Sequence, residues 1–441
     1  YWDWASVKAI FTTDVIGNYN PLPIFTFAIE KYLFAPNPLE HPFFFHVNNV
    51  WMHVVCTLFV FLIFTELGLG RIAAVIGALL FGIHPMRVES VAWITERKDV
   101  LYGLFFLASL YAYIRYTRND AAKTKWYAFA LLLSVFSYFS KVQAVTLPLS
   151  MVAVDFYLNR NWKNPKTLIA EKMPWWLLSM AFGLINIYFL KRNNSLSSSS
   201  YVVDYSFIDK LAVGAYSYAI YLLKWIYPYK MSPLYPYSPE LPMMAYICLA
   251  IVPIAVLAFM IWSFRQNKKQ LLFGWAFFTF NVMFLLQIVG AGQGFLADRF
   301  TYIAYIGLFF IMASFYEWMV QQKPSSKLAI QIGFGLYLAL FAFLTSRQQK
   351  IWENGGTLWE EVKLFYPNSP LAWKQAANYY RDEKKDLGKA IENYKSALAL
   401  QPEDAFACND LAKAYTDSAF APGMLQQTRN EMLMLALQTY N

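Results

Sequence analysis

Up to about Arg347 the chain is a succession of apolar runs separated by short basic clusters, and this pattern leaves few folds open. Such runs lie at about 51–67, 72–83, 100–116, 126–139, 143–158, 174–191, 211–227, 245–263, 271–290, 302–320 and 327–346. A straight bilayer crossing needs about 20 apolar residues. The runs at 72–83 and 126–139 are short, so their helices are expected to extend into flanking polar residues. Beyond Arg347 the chain turns polar and charged. Across 441 residues, 58% are hydrophobic and only 15% charged, where a soluble domain carries about 25% charged residues. Two regimes in one chain imply two environments, a bilayer and water.

The basic clusters orient the runs. Arg115, Arg118, Lys123 and Lys125, then Arg160, Lys163 and Lys166, then Arg265, Lys268 and Lys269, then Lys323 and Lys327 mark cytoplasmic loops under the positive-inside rule. The stretch to Asn49, the loop His84–Asp99, the loop around Asp298 and the C-terminal part then share the exoplasmic side. One count fails: three runs separate Lys172 from Arg265, where an even number is needed. The run 211–227, with Lys224 and several tyrosines, is the weakest and reads as an amphipathic helix along the interface. Whether it spans stays open. The net charge of +9 is spread over these short clusters, which argues against nucleic acid as a partner. Three cysteines are too few for a disulfide framework. Tyr1–Asp3 is no signal peptide, and without an initiator Met further residues are expected upstream, a first membrane helix among them.

The polar tail carries a repeat. Ala390, Tyr394, Ala397 and Pro402 have the spacing of the second helix of a tetratricopeptide repeat, Trp373 and Tyr380 fit its first helix, and Leu411, Ala412 and Tyr415 begin the pattern again. The expected architecture is all-α: residues 1–50 form a first exoplasmic loop with interfacial helices. Residues 51–346 form a polytopic helix bundle, and 347–441 a short α-solenoid that docks other proteins.

Chemistry is expected where polar residues crowd the exoplasmic loops. The segment 84–99 packs seven ionisable groups between two apolar runs, and no opposite charges in it have the i,i+3 or i,i+4 spacing of a solvated, self-paired helix face. Lys141 at a membrane boundary suits snorkelling as well as a site. Asp298 and Arg299, with Tyr302 behind them, open a membrane helix; adjacent, they can neutralise each other, but Arg is also the best phosphate fork. His41, His46 and His53 lack a carboxylate or Cys to complete a metal cage, so no metal is expected, and no Gly-rich phosphate loop or other cofactor motif is present.

These residues together resemble a family. Phe11-Thr12-Thr13, Gly17-Asn18-Tyr19-Asn20-Pro21-Leu22, His46, Asn49 and His53, His84-Pro85 with Val88-Glu89-Ser90-Val91-Ala92-Trp93 and Glu96-Arg97-Lys98-Asp99-Val100, Ser140-Lys141, Tyr235-Pro236 and Ala297-Asp298-Arg299-Phe300-Thr301-Tyr302 resemble the tetratricopeptide-containing GT-C membrane glycosyltransferases. These are bacterial relatives of the transmembrane and tetratricopeptide-repeat O-mannosyltransferases. The resemblance implies an inverting transfer of sugar from a polyprenyl-phosphate donor to a hydroxyl on a protein or surface glycan. It further implies a bacterial cytoplasmic membrane with the C-terminal domain outside, and an acceptor or partner protein held by the repeats. Such a reaction needs a carboxylate base and cations on the leaving phosphate. Arg97, Lys98, Arg299 and Lys141 are the phosphate candidates; His84, Glu89, Asp298 and Tyr302 shape the acceptor or sugar pocket, with Glu89 also a candidate catalytic carboxylate. The family's acidic pair before the Phe-Thr-Thr segment is not matched: Asp3 and Asp14 are the carboxylates available there. The base then lies upstream of Tyr1 or has been lost. In the second case the chain would be a non-catalytic membrane scaffold docking partners through its repeats.

Overall fold

Each of the eleven apolar runs contains a helix, because an apolar stretch in lipid can satisfy its backbone only internally. The structure, a computed structural model, describes residues 3–15, 17–34, 42–118, 120–160, 165–193, 205–288, 294–420 and 426–440. His41 therefore lies outside the described residues. Two helices come before the bundle, α1 (Trp4–Thr12) and α2 (Pro21–Leu33). The bundle follows as α3 (Phe43–Glu66), α4 (Arg71–Ile83), α5 (Val88–Ala92), α6 (Arg97–Arg118), α7 (Lys123–Ser140), α8 (Leu147–Tyr157), α9 (Pro165–Glu171), α10 (Met173–Arg192), α11 (Phe207–Ile226), α12 (Met243–Arg265), α13 (Lys269–Val282), α14 (Tyr305–Gln322) and α15 (Lys327–Ile351). The described β-structure includes one two-stranded antiparallel sheet, β1 (Tyr235–Pro236) with β2 (Gly294–Leu296), which ties the loop after α11 to the loop before α14.

Among the described residues, α3, α10, α12 and the stretch Pro324–Ile351 are each long and apolar enough to cross a membrane. Arg71–Ile83 with Pro85–Ala92, bent by 54°, makes a fifth candidate. Their outward faces are apolar: Leu177 and Leu184 on α10, Ile254 and Leu257 on α12, Leu328 and Leu336 on α15 are all more than half exposed. Apolar surface of that extent is tolerated in lipid rather than water. α11 is not among these candidates. It buries Gly214, Ser217, Tyr218, Tyr221 and Lys224 on one face, and Tyr221 hydroxyl donates to the Ala297 carbonyl at 3.0 Å.

Inside this shell α4, α6, α13 and α14 supply the core, with Phe81, Phe106, Tyr113, Phe277, Phe309 and Phe310 fully buried. Two close approaches depend on glycine. A Cβ at Gly307 of α14 would collide with the Gly274 backbone carbonyl of α13, and one at Gly103 of α6 would meet the Tyr302 ring at 2.5 Å.

After α15 come five helices, α16 (Gly355–Phe365), α17 (Pro370–Asp382), α18 (Leu387–Leu400), α19 (Ala405–Ala419) and α20 (Gln426–Tyr440), each packed on the next. Their starts are capped: Asn354 takes the Thr357 N–H at 3.0 Å, Asp386 the Lys389 N–H at 3.0 Å, and Asp404 the N–H groups of Phe406 and Ala407. Small residues at Ala377, Ala390 and Ala414 let these helices approach, and Tyr394 and Tyr415 fill the space between them. This core is separate from that of the bundle.

The Gly274–Gly307 contact predicts a pair of outcomes. Gly307→Ala has backbone to displace and should lose about 1–3 kcal/mol, seen as a lower midpoint of thermal unfolding in detergent. Gly333→Ala, with open space around it, should leave the midpoint unchanged or slightly raised, since Ala is the better helix former.

Candidate functional site

The site begins where α4 stops. Pro85 cannot continue the helix, and His84 caps the turn that follows: its Nδ1 accepts the Met86 N–H at 3.3 Å, while Nε2 donates to the Trp225 carbonyl at 3.3 Å. The His84 ring is buried against Tyr305, Phe309 and Phe341. Arg87 is buried in the same turn. Its guanidinium donates to the Thr301 hydroxyl and lies over the rings of Phe81, Tyr302 and Tyr305 at 5.4–5.8 Å.

From this bend the chain carries Glu89 towards the turn that opens at Asp298. One oxygen of Glu89 accepts the backbone N–H of Arg299 at 2.8 Å and the other pairs with its guanidinium. Arg299 Nε also lies 3.5 Å from Glu96 Oε1, the oxygen that holds Lys98 Nζ at 3.1 Å. The second oxygen of Glu96 is 3.7 Å from Lys141 Nζ, and Lys141 pairs in turn with Asp99, whose carboxylate accepts the Ser90 hydroxyl at 3.1 Å. Burial alone would raise the Glu96 carboxyl; Lys141 first, then Arg299 and Lys98, outweigh it and hold the group below its usual range.

Asp298 and Arg299 do not neutralise each other. Asp298 accepts the Tyr235 hydroxyl at 2.7 Å and lies 3.5 Å from Lys224 Nζ. The β1–β2 sheet makes this possible by bringing Tyr235 opposite Leu296. Tyr302 sits deeper, its hydroxyl 2.8 Å from His53 Nδ1, while His53 Nε2 contacts the Gly82 carbonyl at 3.0 Å.

Glu89, Lys98, Lys141 and Arg299 thus fall in one network, with Asp298 adjoining it; His84 and Tyr302 pack instead in the aromatic layer around Arg87. Arg97 points elsewhere. Its guanidinium pairs with Glu30 of α2, donates to Asn49 Oδ1 at 2.5 Å and the Phe45 carbonyl at 2.9 Å, and stacks 4.6 Å from the centre of the Phe27 ring. It pins the first loop to the bundle. Asp3 is exposed and caps α1 through the Ser6 N–H at 2.7 Å, which holds its carboxyl below its ordinary value. Asp14 Oδ2 takes the Gly17 N–H and the Asn193 amide, both at 2.9 Å. Exposure sorts the remaining cations: the side chain of Lys141 is 8% exposed, those of Arg299 and Lys98 are 23% and 27%. Arg299 and Lys98, bridged by one carboxylate oxygen, are the open cations of the network.

Comparison with known proteins finds similar sequences. The human Protein O-mannosyl-transferase TMTC1 is 24% identical over a 479-residue alignment that takes in 93% of this chain. The chain is a relative of the transmembrane and tetratricopeptide-repeat O-mannosyltransferases. Human Protein O-mannosyl-transferase TMTC4 is 32% identical over 148 residues, 30% of the chain and 20% of the relative. Protein O-mannosyl-transferase F38B6.6 of Caenorhabditis elegans is 30% identical over 165 residues, 36% of the chain and 22% of the relative. The chain spans about half the length of human TMTC1 and less of the other two. No family model matches it, and no solved structure does.

Reading the sequence missed several partners of the candidate residues. Glu30, which holds Arg97, is one. Lys224 was read as interfacial; it is buried against Asp298 and Tyr235. Trp93 is another, with the Arg299 guanidinium 5.5 Å from its ring centre.

Arg97 and Lys98, adjacent in sequence, should respond unequally to removal. Arg97→Leu strands a buried Glu30 and should cost about 3–5 kcal/mol. Lys98→Ala, at a part-exposed pair, should cost about 1 kcal/mol or less. Denaturation midpoints of the two variants in detergent check this, and equal losses would contradict the division of roles drawn between them.

Proposed function

We propose that the chain is a membrane glycosyltransferase that moves a sugar from a polyprenyl-phosphate donor to a hydroxyl of a protein acceptor on the exoplasmic face. The observation that carries this reading is the pair Arg299 and Lys98. They are two open cations at one carboxylate oxygen, set in a buried network at the exoplasmic edge. As the glycosidic bond breaks, the leaving phosphate gains charge, and a guanidinium in a poorly hydrated site binds that state more strongly than the ground state. Glu89 fixes Arg299 through both its backbone and its side chain, so the fork is oriented before the donor arrives. Lys141 and Asp99 act on Arg299 through Glu96 and are positioning residues. Arg97 is a structural tie of the first loop. Of the carboxylates in the N-terminal stretch, Asp14 is the candidate base, since its two described bonds both fall on Oδ2; Asp3 serves as a cap. The helices of 347–441 are tetratricopeptide hairpins that hold the acceptor polypeptide, and 51–346 is the membrane domain, preceded by the exoplasmic loop 1–50.

Two experiments test the reading. Transfer from a polyprenyl-phosphate sugar is assayed on folded, purified variants. Arg299→Ala in a Glu89→Gln background, which leaves no stranded buried charge, should lose on the order of 3 kcal/mol, about a hundredfold in rate. Arg299→Lys should recover only part of the rate, because a point charge replaces a fork. Lys98→Ala should lower kcat/KM with the fold intact. Full activity in all three would remove the phosphate site; no activity in the unaltered protein would favour the scaffold.

For topology, Lys385→Cys and Lys123→Cys are introduced after Cys56, Cys248 and Cys408 have been replaced. An impermeant thiol reagent should label position 385 from outside and spare 123. Equal labelling would overturn the orientation.

A further inference from the structure

Arg87 is a cation that no carboxylate among the described residues pairs with, and it is only 2% exposed. Its Nη2 donates to the Thr301 hydroxyl, while Nε and Nη1 have no hydrogen-bond partner among the described residues. Asp298 and Asp99 act on it through space, but they are paired already, with Lys224 and Lys141. Its other partners are the rings of Phe81, Tyr302 and Tyr305. Rings stabilise a desolvated cation without cancelling its charge. A buried charge left without a counter-ion costs stability, and a methionine of similar length would fill the same space without that cost.

The charges around it are balanced. Arg299, Lys98, Lys141 and Lys224 pair with Glu89, Glu96, Asp99 and Asp298, four cations with four carboxylates. With each group in its ordinary charge state, Arg87 leaves the cluster one net positive charge. That charge lies close to the open cations. Thr301, which accepts from Arg87, donates to the Asp298 carbonyl at 2.8 Å and is two residues from Arg299. Arg299 and Lys98 keep part of their surface and Arg87 almost none. An anion can touch the first two and only feel the third.

We propose that Arg87 sets the net charge of the phosphate site, so that the site attracts the donor's phosphate without Arg87 touching it. The inference rests on the sugar-transfer reading. Arg87 is a positioning residue, acting through Thr301 on the turn that carries Arg299 and through the field it adds at Arg299 and Lys98. A phosphodiester carries one negative charge, the amount by which the cluster is positive. The phosphomonoester that leaves carries about −1.5 to −2 at neutral pH, and the same field favours it further.

The test measures equilibrium binding of tritiated farnesyl phosphate and of uncharged tritiated farnesol to the whole chain in uncharged detergent. The unaltered protein should prefer the phosphate. Arg87→Met and Arg87→Gln, the second keeping a donor for Thr301, should each lose on the order of tenfold of that preference. This is the effect of one unit charge acting over about 10 Å at an effective dielectric constant of about 20. Farnesol affinity should stay unchanged in both, and Arg87→Lys, which restores the charge, should keep the preference within about threefold. Arg87→Met strands no carboxylate, so its midpoint of thermal unfolding should not fall. A preference that survives both neutral substitutions would overturn the proposal and leave the sugar-transfer reading standing. Equal losses for farnesol and its phosphate would mark Arg87 as structural and overturn it too, as would an Arg87→Lys variant no better than Arg87→Met. No preference in the unaltered protein would remove the phosphate site and the proposal with it.

Discussion

The bond between Glu89 and Arg299 joins two parts of the chain 210 residues apart, and the geometry of the candidate site depends on it. Taking either charge out of water alone is costly, and together they are tolerated only with further partners on the remaining lone pairs and protons. The network supplies them in sequence: Glu96 for the guanidinium edge, Lys98 and Lys141 for Glu96, Asp99 for Lys141, and Ser90 for Asp99. Each member has a reason to be buried only because the next is present. The bend after α4 and the turn before α14 are therefore held in register by charge, in a region where packing alone leaves a loop free to choose.

A second charge cluster, around the ends of α6, α8 and α9, uses the same device. Asp155 pairs with Lys172 and, at 3.1 Å, with Arg160, whose fork also grips Glu171 with two contacts of 2.9 Å. Tyr113 donates to Asp155 at 2.8 Å and completes the cluster. Arg160 is 19% exposed and Lys172 is wholly buried, with every carboxylate in reach of a cation. In both clusters a part-exposed arginine is held by two carboxylates, Arg299 by Glu89 and Glu96 and Arg160 by Asp155 and Glu171. The first cluster adds a second part-exposed cation, Lys98, on an oxygen of Glu96.

The local part of this structure was legible in the sequence. Eleven apolar runs predict eleven helical stretches because a helix bonds only to itself. In the tail, Ala390, Tyr394 and Ala397 read as a buried face because they lie on one side of one helix, α18. The pairing of charges was not legible, and adjacency misled twice. Asp298 and Arg299 sit in a tight turn that sends the first to Lys224 and the second to Glu89. Arg97 and Lys98 begin α6, where successive residues are about 100° apart around the axis, so one faces α2 and α3 and the other faces Glu96. No spacing rule carries such information, because the partners are chosen by tertiary contacts from other elements. Lys224 shows the same limit: nothing in its own helix marks Asp298 as its partner.

The tail helices and the site are joined by rings that already hold its charges. Trp352, at the end of α15, packs 5.8 Å from Trp93, and Trp93 lies under the Arg299 guanidinium. Tyr366, just past α16, packs 6.2 Å from Tyr235, and Tyr235 donates to Asp298. The two contacts flank adjacent residues, Asp298 and Arg299, from separate directions. Both ring pairs tie the stretch around α15 and α16 to the turn that carries Asp298 and Arg299. Trp93 is 39% exposed, whereas Tyr235 is buried and held by Ser232 as well as Asp298, so the ring contact beside Arg299 is the one that solvent reaches.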